Sequence, residues 1–390
     1  MTGSDLEAIP AVSTSDIQLT GRAAEVLKRI AGGDIQDPDQ RRASGAAKYH
    51  RERLAEATRR AYVRWIFQWL YFCSLFGRKE LPATDVALEH FMVWLAQLDP
   101  KKGKNAGVMG VGLAPATMRQ AIAGVRAFHV AARENFPDTT LARGIIEGHA
   151  EIRGRHPEVH DDQGVPPIKL PTLLELIRAC PAGTNAGLRD RALLSVGFTI
   201  MARRSELSIL DRDDLVDTGE SIRVQVKRTK TNRLKGRTAY LPAWSDYPEC
   251  CPVRAVRAWR DRLDELGVTS GPYFRAVDKW DHVHGTGTFA GPPASRGVRM
   301  APETVELVIA RAALAALGEG IEIPNSAALR AHSLRAGGAT SAYEADADIL
   351  AIARQGGWGD RSPVIFRYIR EVDLDKRNPM RALGNQGAAT

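Results

Sequence analysis

The chain has 390 residues, more than a single hydrophobic core usually organises, so two domains are expected. Hydrophobic residues make up 44% and charged residues 26%, which excludes a wholly disordered chain, and no apolar run is long enough to span a membrane. The net charge of +8 favours an anionic partner, nucleic acid first. The surplus is local: residues 45–155 carry seventeen basic and ten acidic side chains, whereas residues 1–44 are net acidic. Four cysteines are few for this length; Cys73 and Cys180 sit in apolar helical patterns, and Cys250 and Cys251 are adjacent. With no signal-peptide pattern at the start, a reducing, cytoplasmic setting is expected.

Residues 1–44 are rich in Ser, Thr, Gly and Asp and read as a flexible arm with one short helical stretch at Ala23–Ile30. Helical periodicity begins after Tyr49: Trp65, Ile66, Trp69, Leu70, Phe72 and Cys73 fall on one face. Pro82-Ala83-Thr84 opens a second helix, and Leu113-Ala114-Pro115-Ala116-Thr117 opens a third that runs to about Arg133. A shorter helix covers Leu141–Ile152. These make a helical domain over residues 45–155, followed by a Gly/Pro-rich linker at 156–167 and a second domain over 168–390. In the second domain, helices are predicted at Pro171–Ala179, Arg189–Thr199, Val253–Leu266, Pro302–Leu317, His332–Tyr343 and Asp348–Gln355. Ile222–Val226 alternates like a strand and Arg237–Leu241 returns, so a small β-hairpin is expected in a mainly α fold.

Several residues of the second domain have the chemistry for work on a phosphodiester. Arg203 and Glu206 are three apart, on one face if helical; the guanidinium fork matches phosphate oxygens, although taken alone the spacing is better explained by a solvated surface ion pair. Arg204 competes with Arg203, and spacing alone does not choose between them. Residues 221–238 hold seven Arg/Lys and no acid, with Lys230 near the turn, a ribbon suited to a DNA backbone. His332 and Arg335 share one face at a helix start, where the helix N-terminus attracts anions. Gly356-Gly357-Trp358 follows another helix, and Tyr368 comes ten residues later. A phenol can attack a phosphate, hold the ester covalently and leave again, because its pKa of about 10 is far below that of an alcohol.

Taken in order, Arg…Lys…His-x-x-Arg…Trp…Tyr resembles the tyrosine recombinases, and within them the Cre-like recombinases and phage or plasmid integrases. The resemblance runs over residues 48–385 and is carried by HSLRAGGAT, QGGW, RYIR and RTKT, with LAEATRRAYVRWIFQWL and GLAPATMRQAIAGVRAFH in the first domain. It implies a two-domain C-shaped clamp: a helical core-binding domain plus a catalytic domain. It also implies site-specific DNA recombination through a 3′-phosphotyrosyl intermediate, with no metal, ATP or other cofactor. Arg203 takes the first catalytic arginine position because it precedes Ser205-Glu206-Leu207. Glu206 steadies the site, and Lys230 protonates the leaving oxygen, with Lys227 and Lys235 as fallbacks. His332 and Arg335 hold the phosphate, Trp358 flanks them and Tyr368 is the nucleophile. The Trp358–Tyr368 spacing is one residue longer than usual for the family, and Pro363 lies in the gap. Tyr343 is too close to Arg335 to compete.

The same resemblance implies DNA contacts from Thr58, Arg59, Arg60, Arg119 and Gln120 in the first domain, and from Arg228, Arg233 and Lys235 in the hairpin. The partner it implies is double-stranded DNA with an inverted-repeat site, bound by a homotetramer whose tail helix (Asp373–Leu383) docks on a neighbouring subunit. Three rivals remain in view. A DNA-binding regulator without catalysis would show a gap among these residues, and none is found. A telomere resolvase shares the chemistry but usually carries extra domains. A zinc protein would use Cys250, Cys251, His282 and His284, whose spacing resembles no zinc site.

Overall fold

The structure is a computed structural model and describes Ala23, Glu25, Val26, Leu27, Ile30 and residues 56–100, 105–159, 164–227, 236–287, 297–359 and 362–369. The chain divides into two compact units, Met1–Gln163 and Gly164–Thr390. No helix among the described residues is long and apolar enough to cross a membrane.

The first unit is helical: α1 (Glu56–Leu75), α2 (Asp85–Ala96), α3 (Pro115–Ala132) and α4 (Thr140–Gly154). α1 packs on α3 and α2 on α4, so the predicted apolar faces close around one core. Trp69, Phe72, Phe91 and Phe128 are buried there, with Trp69 edge-on to Phe91 at 5.2 Å. Thr84 starts α2 by accepting from the Ala87 N–H, and Pro115 opens α3 where no backbone donor is needed. Part of the expected N-terminal arm belongs to this core: Ala23, Val26 and Leu27 are helical and buried, the apolar side of one short amphipathic stretch. Polar groups inside are matched by backbone. His129, fully buried, donates from Nδ1 to the Val125 carbonyl (2.9 Å) and accepts at Nε2 from the Ala83 N–H (2.9 Å). Arg153 donates from Nη1 to the Val111 and Gly112 carbonyls at 2.6 and 2.7 Å.

The second unit contains α5 (Leu170–Arg178), α6 (Asn185–Thr199), the short α7 (Arg204–Ser208), α8 (Pro252–Glu265), α9 (Thr304–Gly318), α10 (Ala331–Glu344), α11 (Ile349–Gly356) and the terminal turn α12 (Phe366–Ile369). α6 is buried along most of its length, as its apolar run implies, and forms the axis on which α8, α10 and α5 pack. It begins four residues earlier than the expected Arg189. The Asp281 carboxylate, from a distant loop, accepts the Asn185 and Ala186 N–H groups at 2.7 and 2.8 Å, and Thr184 accepts from Gly187. The sheet has three antiparallel strands: β1 (Leu215–Asp217), β2 (Ser221–Val226) and β3 (Arg237–Pro242), with Val216 opposite Arg223 and Val224 opposite Ala239. The sequence reading has only the β2–β3 hairpin; β1 is too short for alternation to show.

One contact sets the position of α10. A Cβ on Gly337 would stand 1.7 Å from the Ile168 carbonyl oxygen, and one on Gly338 would stand 2.3 Å from that of Phe198. Only glycines allow the helix to lie this close to the chain before α5 and to the end of α6. The Ile168 N–H also donates to the Ser333 carbonyl at 3.0 Å. The first turn of α10, which carries His332 and Arg335, is held by this seam.

Candidate active site

Arg203 caps α7, and Glu206 lies in its first turn. Glu206 is 2% exposed and accepts twice from Arg203, at Oε1 from Nη1 (2.5 Å) and at Oε2 from the backbone N–H (3.1 Å). The carboxylate therefore holds the guanidinium in place. Burial pushes the Glu206 carboxyl up, but the Arg237 and Arg203 guanidiniums outweigh it and hold it below the usual range. Arg204 points elsewhere and pairs with Glu306 on the surface at 2.9 Å. The structure thus separates the two arginines that spacing could not.

Arg335 is 1% exposed. Its Nη1 donates to the Met201 carbonyl and, at 2.7 Å, to the Gly356 carbonyl. Its Cζ lies 3.7 Å from the centroid of the Trp358 ring, a stacked cation–π contact. Nη2 is buried and has no acceptor in hydrogen-bonding geometry among the described residues. Burial, reinforced by the Arg203 charge, lowers its pKa to about 10 against the opposing pull of the nearby Tyr368 phenol and of Glu206, so the side chain stays cationic at neutral pH. A buried guanidinium nitrogen without an acceptor is a costly group that an anion satisfies.

His332 and Tyr368 meet at one edge of this cation: Nε2 of the imidazole lies 2.8 Å from the phenol oxygen. The imidazole keeps one edge open to solvent. Its burial among neighbouring atoms, and then the charges of Arg335 and Arg203, hold its pKa below 6.5, so it is neutral at pH 7. A neutral ring with its proton on Nδ1 accepts the phenol O–H at Nε2. Tyr368 comes from the same chain as the rest of the site, on α12, after the 3₁₀ turn Pro363–Ile365. The tyrosine is fixed further by Thr340, whose hydroxyl donates to the Tyr368 carbonyl at 2.6 Å, and by the Trp358 ring, 5.2 Å away.

Arg203, Glu206, His332, Arg335, Trp358 and Tyr368 are therefore brought together. Lys230, Lys235, Arg228 and Arg233 lie outside the described residues, as does the tail from Asp373 to Leu383. Lys227, the fallback lysine, turns toward acids instead, at 2.9 Å from Asp214 and 3.5 Å from Asp211. In the first unit Thr58, Arg59 and Arg60 lie near the start of α1, and Arg119 and Gln120 near the start of α3. Arg60, Arg119 and Gln120 are exposed; Thr58 and Arg59 are half-buried.

The cysteines and histidines of the zinc alternative are not gathered. Cys250 and Cys251 are buried beside Leu174 and Trp244, while His282 pairs with Asp278. No group of three or more His, Cys, Asp or Glu among the described residues is arranged to hold a metal ion. Two residues that sequence reasoning missed are Thr340 and Arg237. Arg237 reads as an ordinary strand position, yet it donates to Glu206, Gln355 and Ile200.

A tyrosine set against a buried arginine pocket is an arrangement that can attack a phosphodiester and hold the charge on its oxygens. No family model matches the chain. It is 26% identical over 338 residues to an integrase/recombinase XerD homolog of Selenomonas ruminantium, covering 85% of this chain and 86% of that protein. It is 30% identical over 182 residues to the tyrosine recombinase XerC of Pelotomaculum thermopropionicum, covering 44% of this chain and about half (51%) of that protein. Among solved structures, the fold is similar to XerH site-specific recombinase bound to a palindromic difH substrate. The TM-score is 0.54 at 14% identity, over 95% of this chain and 98% of that one. The chain is thus similar in sequence to integrases and Xer-type tyrosine recombinases along most of its length.

Proposed function

We propose that this site-specific DNA recombinase cuts and rejoins strands through Tyr368. The phenol oxygen attacks the phosphorus, and its proton passes to Nε2 of His332. Arg203, held by Glu206, and Arg335, through its open Nη2, carry the charge on the non-bridging oxygens. The bond to the 5′ oxygen breaks, and Lys230 protonates that oxygen as it leaves. The strand then stays on the enzyme as a 3′-phosphotyrosyl ester, and attack by another 5′ hydroxyl reverses the steps. His332 thus handles the nucleophile's proton, a more specific role than the phosphate contact implied by the resemblance.

The observation that carries this reading is the short His332–Tyr368 contact beside a buried guanidinium nitrogen with no acceptor. The exposed Arg119 and Gln120, with Thr58, Arg59 and Arg60, contact DNA from the first unit, and Arg228, Arg233 and Lys235 contact it from the second. The target is an inverted repeat bound by four copies of the chain, each passing its tail to a neighbour; the palindromic substrate of XerH supports that symmetry. The protein acts in the cytoplasm, where its DNA is.

The test is to incubate purified protein with fragments of its source DNA in EDTA and to look for an SDS-resistant protein–DNA adduct. Wild type forms it, whereas Tyr368→Phe loses it and still binds. Tight binding with no adduct from either protein replaces this reading with that of a DNA-binding regulator.

A further inference from the structure

We infer that Arg237 is a positioning residue that fixes the two arginine-bearing halves of the site to each other. The site has two separate supports. One is α7, where Glu206 holds Arg203; the other is the C-terminal turn of α11, where the Gly356 carbonyl holds Arg335 and where Trp358 stacks on it. Arg237, on β3, touches both. Its Nη2 donates to Glu206 Oε2 at 3.1 Å and to the Ile200 carbonyl at 3.0 Å, and its Nη1 donates to the Gln355 carbonyl at 2.5 Å.

Ile200 adjoins Met201, whose carbonyl is the other anchor of Arg335. One planar guanidinium therefore spans the end of α6, the start of α7 and the end of α11. Gly357 leaves room for it: at φ +69°, a Cβ there would stand 2.4 Å from Arg237 Cδ. The side chain is only 10% exposed and has no described contact with the Tyr368 phenol, so it acts through Glu206 and the α11 turn.

Charge supports the assignment. Burial lowers the Arg237 pKa and the Glu206 carboxylate opposes that shift, so the two charges are mutually dependent. Burial alone pushes the Glu206 carboxyl up, and Arg237 and Arg203 bring it down; Arg335 is the other cation that feels it. Removing the Arg237 guanidinium takes away the side-chain donor on Glu206 Oε2 and loosens the carboxylate that holds Arg203 through Oε1. A lysine keeps the charge but cannot span three acceptors.

The inference rests on the strand-cleavage reading above, and its test separates the two. Wild type, Arg237→Lys and Arg237→Ala are compared as full chains for adduct formation on the DNA fragment recovered from the wild-type adduct. The expected result is a loss of about tenfold to a hundredfold in cleavage for Arg237→Lys. The fragment still binds with unchanged affinity, so the loss falls on the cleavage rate at saturating DNA. In a Glu206→Gln background, where the carboxylate that Arg237 donates to is gone, Arg237→Lys lowers cleavage by little more. Hydrogen exchange read by mass spectrometry, without DNA, shows faster exchange in Arg237→Lys at residues 203–207 and 354–358 and no change in the first unit.

Absence of a wild-type adduct sinks the cleavage reading and leaves the exchange result to decide the role of Arg237. Unchanged exchange with unchanged cleavage overturns the positioning role. So does a cleavage loss matched by lost binding, or one that persists in full in the Glu206→Gln background. If Arg237→Ala does not fold, Arg237→Lys alone carries the decision.

Discussion

Each unit buries an arginine and uses a histidine in its interior or at its edge, and the two pairs differ in one respect. In the first unit, Arg153 and His129 spend their donors and acceptors on backbone groups: Arg153 on Val111 and Gly112, His129 on Val125 and Ala83. In the second, Arg335 spends Nη1 on backbone and leaves Nη2 without an acceptor, and Nε2 of His332 meets a phenol. An unpaired nitrogen alone does not mark a site, because Nε of Arg237 and Nε of Arg275 are also buried without an acceptor; what sets Arg335 apart is that its open nitrogen accompanies the His332–Tyr368 contact.

The comparison breaks if the two arginines respond alike. Arg335→Ala is expected to lower cleavage by about a hundredfold or more while binding changes little, measured as adduct formation against gel shift. Arg153→Ala should instead leave the cleavage rate intact below its melting point, and should lower stability by about 1–3 kcal/mol in denaturant titration, because two buried carbonyls lose their donor. Equal cleavage losses in the two variants would erase the distinction.

The histidines sharpen it next. His129→Ala orphans the buried Ala83 N–H and opens a cavity, so a loss of about 2–4 kcal/mol is expected in unfolding experiments, with no change in the pH dependence of cleavage. The pH dependence belongs to His332. Its pKa lies below 6.5 and the neutral ring is the active form, so the rate is flat at pH 7 and falls only as pH drops through that lowered value. A half-maximal rate at or above pH 6.5 would contradict the assignment.

The smallest effect expected is for Arg204→Ala. Its ion pair with Glu306 is exposed and contributes no more than about 1 kcal/mol, and cleavage should be unchanged. A large cleavage loss there would return the choice between Arg203 and Arg204 to where spacing left it.

Local pattern carried much of this into the sequence. His332 and Arg335 are three apart on a helix, and α10 puts both in its first turns. The apolar faces of α1 to α4 have the period of a helix, and the helices form where that period runs. What stayed hidden depends on contacts between distant segments. The partners of Arg237 lie at 200, 206 and 355, so its own neighbourhood shows only strand alternation. The anchors of Arg335 are carbonyls, which any residue supplies. β1 is three residues long, and although Thr184 caps α6 locally, the carboxylate that accepts its first N–H groups comes from Asp281, 96 residues along the chain. Lys230 was legible as a lysine near a turn, but its position lies outside the described residues.

The glycine seam under α10 bears on how the enzyme tolerates sequence drift. Most helices rest on side chains, and their separation shifts by tenths of an ångström whenever a neighbour gains or loses a methylene. At Gly337 and Gly338 the helix rests on the carbonyls of Ile168 and Phe198, whose size no substitution changes. The spacing of His332 and Arg335 from the frame is therefore insulated from volume changes elsewhere in the core. The interior of the second unit is free to vary in composition while the distance that matters for chemistry stays constant.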